Sequence, residues 1–207
     1  LCRLVTYISR TASTCLVLRR DRADEVDHIR PIVHSDADLA LPRSQSGSAI
    51  FFGTAVDYKM GKDEVKDPAD ASVPVSKTLM LVGWGSQKQS LCADSSAISE
   101  ILAAHKAVRD ALGYGDFLDR ANRPLLVYAD NSAVLRLAAR GTSKAASILH
   151  RAVRLRVGLL RDLRESGLVQ IKYVRSADNK ADIFTKALSE EKLAIAKKMI
   201  GLEATAG

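Results

Sequence analysis

The sequence predicts an α/β protein in which a mixed β-sheet carries helices on its faces. Apolar, β-branched segments follow one another over residues 14–84 with no helical periodicity between them. Beyond residue 94, strand-like runs alternate with segments of helical period. An antiparallel meander followed by βαβ-like crossovers gives this architecture.

Leu1, Leu4, Val5 and Ile8 set out a short amphipathic helix, followed by a strand-like run from Thr14 to Arg19. Pro31–Ser35 and Gly47–Phe52 read as strands separated by the Pro/Ser/Gly-rich stretch Pro42–Ser48. Residues 57–77 are charged and poor in large apolar side chains, which predicts a long hairpin insertion or a mobile loop. Thr78–Trp84 is the next strand, with Trp84 expected in the core. Asp94 and Ser95 offer cap chemistry before a helix over Ser95–Leu112, which places Ile98, Ile101, Leu102, His105, Val108 and Leu112 along one side. The continuous apolar run Pro124–Ala129 reads as a buried strand. Helical patterns cover Asn131–Arg140 and Ser143–Glu165 and stop at Gly141 and Gly167. Val169–Val174 alternates as a half-exposed strand, and helices are expected over Ala177–Leu188 and Glu190–Ile200.

Composition excludes several classes. The hydrophobic and charged fractions, 47% and 27%, are those of a globular protein, and no apolar run reaches the length of a membrane span. No signal peptide pattern is visible, and the first residue is Leu rather than Met, as expected of a piece of a longer product. Cys2, Cys15 and Cys92 are far apart, and no two of the four histidines show ligand spacing, which argues against a disulfide frame or a zinc site. An intracellular location is expected, with no small-molecule cofactor and no membrane partner. Between Asn131 and Arg164 stand eight basic residues and one acidic, a surplus equal to the net charge of the whole chain, +7. Arg151, Arg154 and Arg161 share one helical face there, which reads as a solvated basic face or a phosphate-contacting surface.

Four acids occupy strand and helix ends: Asp36 in HSDAD, Glu100 in SSAISEILA, Asp130 closing PLLVYAD, and Asp182 in NKADIFTKAL. Each alone has a plainer role, Asp130 as a helix cap and the others as turn or solvated helix residues. Together, carboxylates at the ends of adjacent strands can converge into a hard-oxygen site for Mg²⁺ or Mn²⁺.

Five blocks in order then resemble the ribonuclease H domain of copia-type retrotransposon Pol polyproteins: HSDADLA, RSQSGSAIFF, VGWGSQKQSLCADSSAISEILAA, LLVYADNSAVLRLA and VQIKYVRSADNKADIFTKAL. Leu39, Ile98 and Ile101 depart from the family's usual Trp, Glu and Tyr, and HRAVRLRVGLL departs from its usual helix sequence. The resemblance implies a ribonuclease H-like fold, a five-stranded mixed sheet flanked by helices. It marks Asp36, Glu100, Asp130 and Asp182 as catalytic metal ligands, with Asp38 the alternative to Asp36. Two ions are implied, Asp36 bridging them, Asp130 and Glu100 completing one site and Asp182 the other. The implied activity is hydrolysis of the RNA strand of RNA/DNA hybrids, beside a reverse transcriptase domain of the same polyprotein, in a cytoplasmic virus-like particle or the nucleus. Alternatives are a non-catalytic connection module or a DNA-cutting nuclease of the same fold. Ser86, Lys88, Gln89, Asn131 and Ser132, with Arg151, Arg154 and Arg161, are the candidate nucleic-acid contacts. The expected organisation is a reverse transcriptase remnant at 1–27, the ribonuclease H-like domain at 28–188 with its 57–77 insertion, and a C-terminal helix and tail at 189–207.

Overall fold

The structure is a computed structural model that describes residues 2–22, 24–25, 28–54, 78–114, 124–141 and 158–204. The expected 57–77 insertion, Arg151, Arg154 and most of the expected 143–165 helix lie outside the described residues. The elements are α1 (Cys2–Arg10), β1 (Thr14–Leu16), β2 (Arg30–Asp38), β3 (Gln45–Gly53), β4 (Leu79–Lys88), α2 (Ser96–Leu112), β5 (Leu125–Ala129), α3 (Ser132–Arg140), α4 (Leu159–Glu165), β6 (Val169–Tyr173), α5 (Glu190–Met199) and β7 (Leu202–Ala204).

Five strands form one sheet in the order β4-β3-β2-β5-β6. The first three are antiparallel neighbours, and β5 and β6 join parallel to β2. With helices packed on it, this is the ribonuclease H-like α/β architecture expected from the sequence. Because strand side chains alternate between faces, β2 sends Val33 one way and Ile32 the other. Val33, Ile50 and Val127 pack under Ile98, Ile101, Ala104 and Val108 of α2 and Val134 and Leu137 of α3. Ile32, Phe51, Leu126 and Tyr128 form the second core layer beneath Val174, Phe184 and Ile200. Among the described residues, no helix is long and apolar enough to cross a membrane.

Local chemistry sets the helix ends beside the sheet. The Ser95 hydroxyl caps α2 by accepting the Ile98 N–H. Asn131 caps α3, its Oδ1 accepting from the Ala133 N–H at 2.8 Å, and Gly141 closes it in the left-handed region at φ 72°. The cap is therefore Asn131 and not Asp130, which leaves the Asp130 carboxylate for other work.

Four sequence expectations are corrected. The Thr14–Arg19 strand shortens to β1 and pairs with β7 in a separate two-stranded ribbon, because the ends of the chain meet there. Ala177–Leu188 is no helix. It folds as two 3₁₀ turns, Ser176–Asp178 and Asp182–Phe184, because buried Asn179 donates to the Ser35 carbonyl at 3.0 Å and accepts from the Ala181 N–H. Trp84 is 63% exposed, since β4 is an edge strand and the flanking core stops short of it. Strand β2 extends past Ser35, so Asp36 lies inside it and is buried rather than marking its end.

Candidate metal and active site

Parallel pairing sets the first two acids side by side. Ser35 of β2 stands opposite Ala129 of β5, so Asp36 and Asp130, one residue further along each chain, emerge at the same level. The turn around Asp182 folds back over this point after β6. One oxygen from each of Asp36, Asp130 and Asp182 lies within 4.8 Å of the others. Asp38, two residues on, is exposed at the strand end and stands outside this group.

The turn reaches the sheet because β3 has a gap beneath it. Gly47 is the register partner of Asp36, and a Cβ there would lie 2.6 Å from Thr185 Cγ2 and 2.9 Å from the Ala181 carbonyl oxygen. Both distances are below contact range, and one of the atoms is backbone. Gly47→Ala should therefore lift the 181–186 segment and destabilise the protein by about 1–3 kcal/mol. Thermal melting of the metal-free protein checks this, and an unchanged midpoint would show that the turn tolerates the methyl group.

Each cluster acid has a donor. The Ser176 hydroxyl donates to Asp130 Oδ2 at 2.7 Å, and the Thr185 hydroxyl donates to Asp36 Oδ2. The Lys186 ammonium donates to Asp182 Oδ1 at 2.9 Å and to Asp36 Oδ1 at 3.3 Å. Burial pushes the Asp182 carboxyl up to about 6, with the Asp36 and Asp130 charges adding to it against the Lys186 hydrogen bond. Burial alone would lower the Lys186 ammonium, but its bonds and charge pairing with Asp182 and Asp36 raise it above the ordinary lysine value.

Glu100, one turn inside α2, borders the group without belonging to it. It is buried, and its Oε2 has no hydrogen-bond partner. Burial first, then the charges of Asp36 and Asp130, push its carboxyl up to about 9, although the Ala37 N–H bonds to it. An orphaned carboxyl oxygen beside three converging carboxylates is the donor set of a hard divalent cation. The residues fit such an ion.

On the core side of the cluster, His34 stacks on Tyr128 at 4.9 Å and meets the edge of Phe51. Burial, helped by the Lys180 charge, holds its pKa well below the usual imidazole value, so it stays neutral.

The other sequence candidates divide. Ser86 spends its hydroxyl on the Phe184 carbonyl at 2.6 Å, bracing the turn that carries Asp182. Gln89, the residue after β4, is buried, its amide donating to Ser46 of β3 and to the Ser99 carbonyl of α2. Asn131 is occupied as a helix cap. Lys88 and Ser132 are exposed, and Arg161 is paired with Glu165 at 2.7 Å on the surface of α4. Sequence reasoning missed Ser176, Thr185 and Lys186. The i, i+4 spacing of Asp182 and Lys186 was the available signal.

The fold is ribonuclease H-like in its strand order, and its acidic cluster, buried at Asp36 and half-buried at Asp130 and Asp182, lies where the parallel strands β2 and β5 run side by side. No model of a known protein family matches the sequence. Similar solved structures include LC11-RNase H1 isolated from compost by a metagenomic approach, at 13% identity over 81% of this chain and 97% of that one, TM-score 0.47. The N-terminal RNase H domain of Rv2228c from Mycobacterium tuberculosis, solved fused to maltose-binding protein, is 13% identical over 82% of this chain and 97% of that one, TM-score 0.42. The foamy viral protease-reverse transcriptase in complex with dsDNA is 12% identical over 84% of this chain and 91% of that one, TM-score 0.37.

Proposed function

We propose that the chain is a ribonuclease H, hydrolysing the RNA strand of RNA/DNA hybrids, and that it derives from a copia-type retrotransposon Pol polyprotein. The observation that carries the reading is the convergence of Asp36, Asp130 and Asp182 within 4.8 Å, with Glu100 buried beside them. The five sequence blocks support it, since each of these acids falls inside one of them.

In this reading Asp36, Asp130, Asp182 and Glu100 hold two Mg²⁺ or Mn²⁺ ions. Such a pair, when bound, supplies an activated water and relieves charge on the attacked phosphate and the leaving oxygen. The protein's own residues do the positioning. The Ser176 hydroxyl fixes the rotamer of Asp130, the Thr185 hydroxyl that of Asp36, and the Asn179 bonds to β2 hold the turn that presents Asp182. No side chain serves as a covalent nucleophile. The exposed Lys88, Ser132 and Arg161 are proposed to meet the backbone of an A-form-like duplex, whose shape and 2′-hydroxyls distinguish it. A reverse transcriptase domain of the same polyprotein is the proposed partner.

The test is a cleavage assay with Mg²⁺ on matched RNA/DNA hybrid, double-stranded DNA and double-stranded RNA, with EDTA as control. Metal-dependent cutting confined to the RNA strand of the hybrid is expected. Cutting of DNA would make the chain a nuclease of another specificity, and binding without cutting would make it a connection module.

A further inference from the structure

Three carboxylates within 4.8 Å of one another need a counter-charge when no divalent ion is bound. Among the described residues, Lys186 is the one cation ion-paired to the cluster; the other donors to these acids, Ser176 and Thr185, are neutral. Its ammonium holds one oxygen of Asp182 and one of Asp36, at 2.9 and 3.3 Å, and so stands between the two acids.

We infer that Lys186 is a tethered counter-cation which occupies the acidic site in the metal-free protein and competes with divalent ions for it. The inference rests on the metal-site reading above and adds a residue outside the ligand set. The competition is for oxygens and for space. A divalent ion shared by Asp36 and Asp182 needs the region where the ammonium sits, and two cations repel each other there. Departure is open to the lysine. Its side chain is 36% exposed, against 1% for Asp36, and its four-carbon stem can carry the ammonium out to water while the backbone stays in place. The device keeps the empty site from forcing the acids apart, at the expense of metal affinity.

The test compares wild-type protein with Lys186→Gln, Lys186→Arg and, as a control for net charge, Lys106→Gln on α2, where Lys106 is paired with Asp110 and not with the cluster. Calorimetric titration with Mn²⁺ and thermal melting in EDTA are the readouts. Lys186→Gln should melt at lower temperature in EDTA and bind Mn²⁺ at least about fivefold more tightly than wild type. Lys186→Arg and Lys106→Gln should stay near the wild-type affinity. Unchanged or weakened Mn²⁺ binding by Lys186→Gln, with wild type binding normally, overturns the inference and leaves the metal site standing. Absence of Mn²⁺ binding in every protein, wild type included, removes the metal-site reading and this inference with it. Should Lys186→Gln fail to fold, ¹⁵N-lysine-labelled wild type titrated with Mg²⁺ decides the matter. The Lys186 ammonium signal should shift selectively towards that of a solvated lysine, and an unmoved signal on Mg²⁺ saturation overturns the inference.

Discussion

Replacing Asp130 by Asn should lower Mg²⁺-dependent cleavage of an RNA/DNA hybrid by about 10³-fold or more, with little change in melting temperature in EDTA. The two halves of this expectation have different origins. Asp130 is partly exposed and caps no helix, Asn131 doing that instead, so an isosteric amide disturbs no packing. Asn keeps an oxygen that can accept from Ser176, which gives Asp130 Oδ2 its 2.7 Å hydrogen bond. What Asn lacks is charge. Removing one carboxylate from a hard-cation site withdraws several kcal/mol of charge stabilisation, and each 1.36 kcal/mol off the barrier is about tenfold in rate. Single-turnover rates on the hybrid, beside melting curves, measure both halves. Wild-type rates from the variant would remove Asp130 from the proposed catalytic set.

Glu100→Gln should stabilise the metal-free protein at pH 8 and flatten its pH dependence. In wild type, burial and the charges of Asp36 and Asp130 raise the Glu100 carboxyl from an ordinary 4.5 to about 9. A raised folded-state pKa means the protonated form is the one the fold favours. That contribution is fully present below pH 4.5 and is lost as the pH climbs through about 9. Asp182, raised to about 6, adds a smaller loss over the lower part of that window. Gln is the neutral isostere of protonated Glu, so the variant keeps the packing and escapes the ionisation. The gain at pH 8 should be on the order of 2–4 kcal/mol. Urea denaturation of both proteins in EDTA at pH 5 and pH 8 tests it. Parallel loss of stability in the two proteins would show that Glu100 is not the group responsible.

How far the site could be read in advance depended on how local its causes are. Asp130 was legible because PLLVYA reads as a buried strand and a helical pattern follows from Asn131. Asp130 falls at that junction. Glu100 was legible through the Ser95 cap and the apolar spacing of Ile98, Ile101 and Val108, which set its place one turn inside α2. Asp36 was found, but its strand was read as ending too soon. His34, Ser35 and Asp36 look like a polar stop, and only the flanking strands β3 and β5 turn them into buried strand residues. Asp182 was found in a segment given the wrong conformation. NKADIFTKAL has helical composition, yet the Asn179 bond to Ser35, 144 residues away in the chain, holds it in 3₁₀ turns.

The sequence by itself therefore located the five strands of the main sheet, the two capped helices and the four candidate acids, because periodicity, cap chemistry and apolar runs act within a few residues of chain, while β7 went unread. Tertiary structure alone decided what those acids touch. The antiparallel and parallel registers of β2 put Gly47 and Asp130 beside Asp36, and the turn that fits over Gly47 brings Thr185 and Lys186 onto the same carboxylate. The same sheet order made β4 an edge and left Trp84 in solvent. Charges and edges are set by neighbours distant in sequence, and local pattern carries no record of those neighbours.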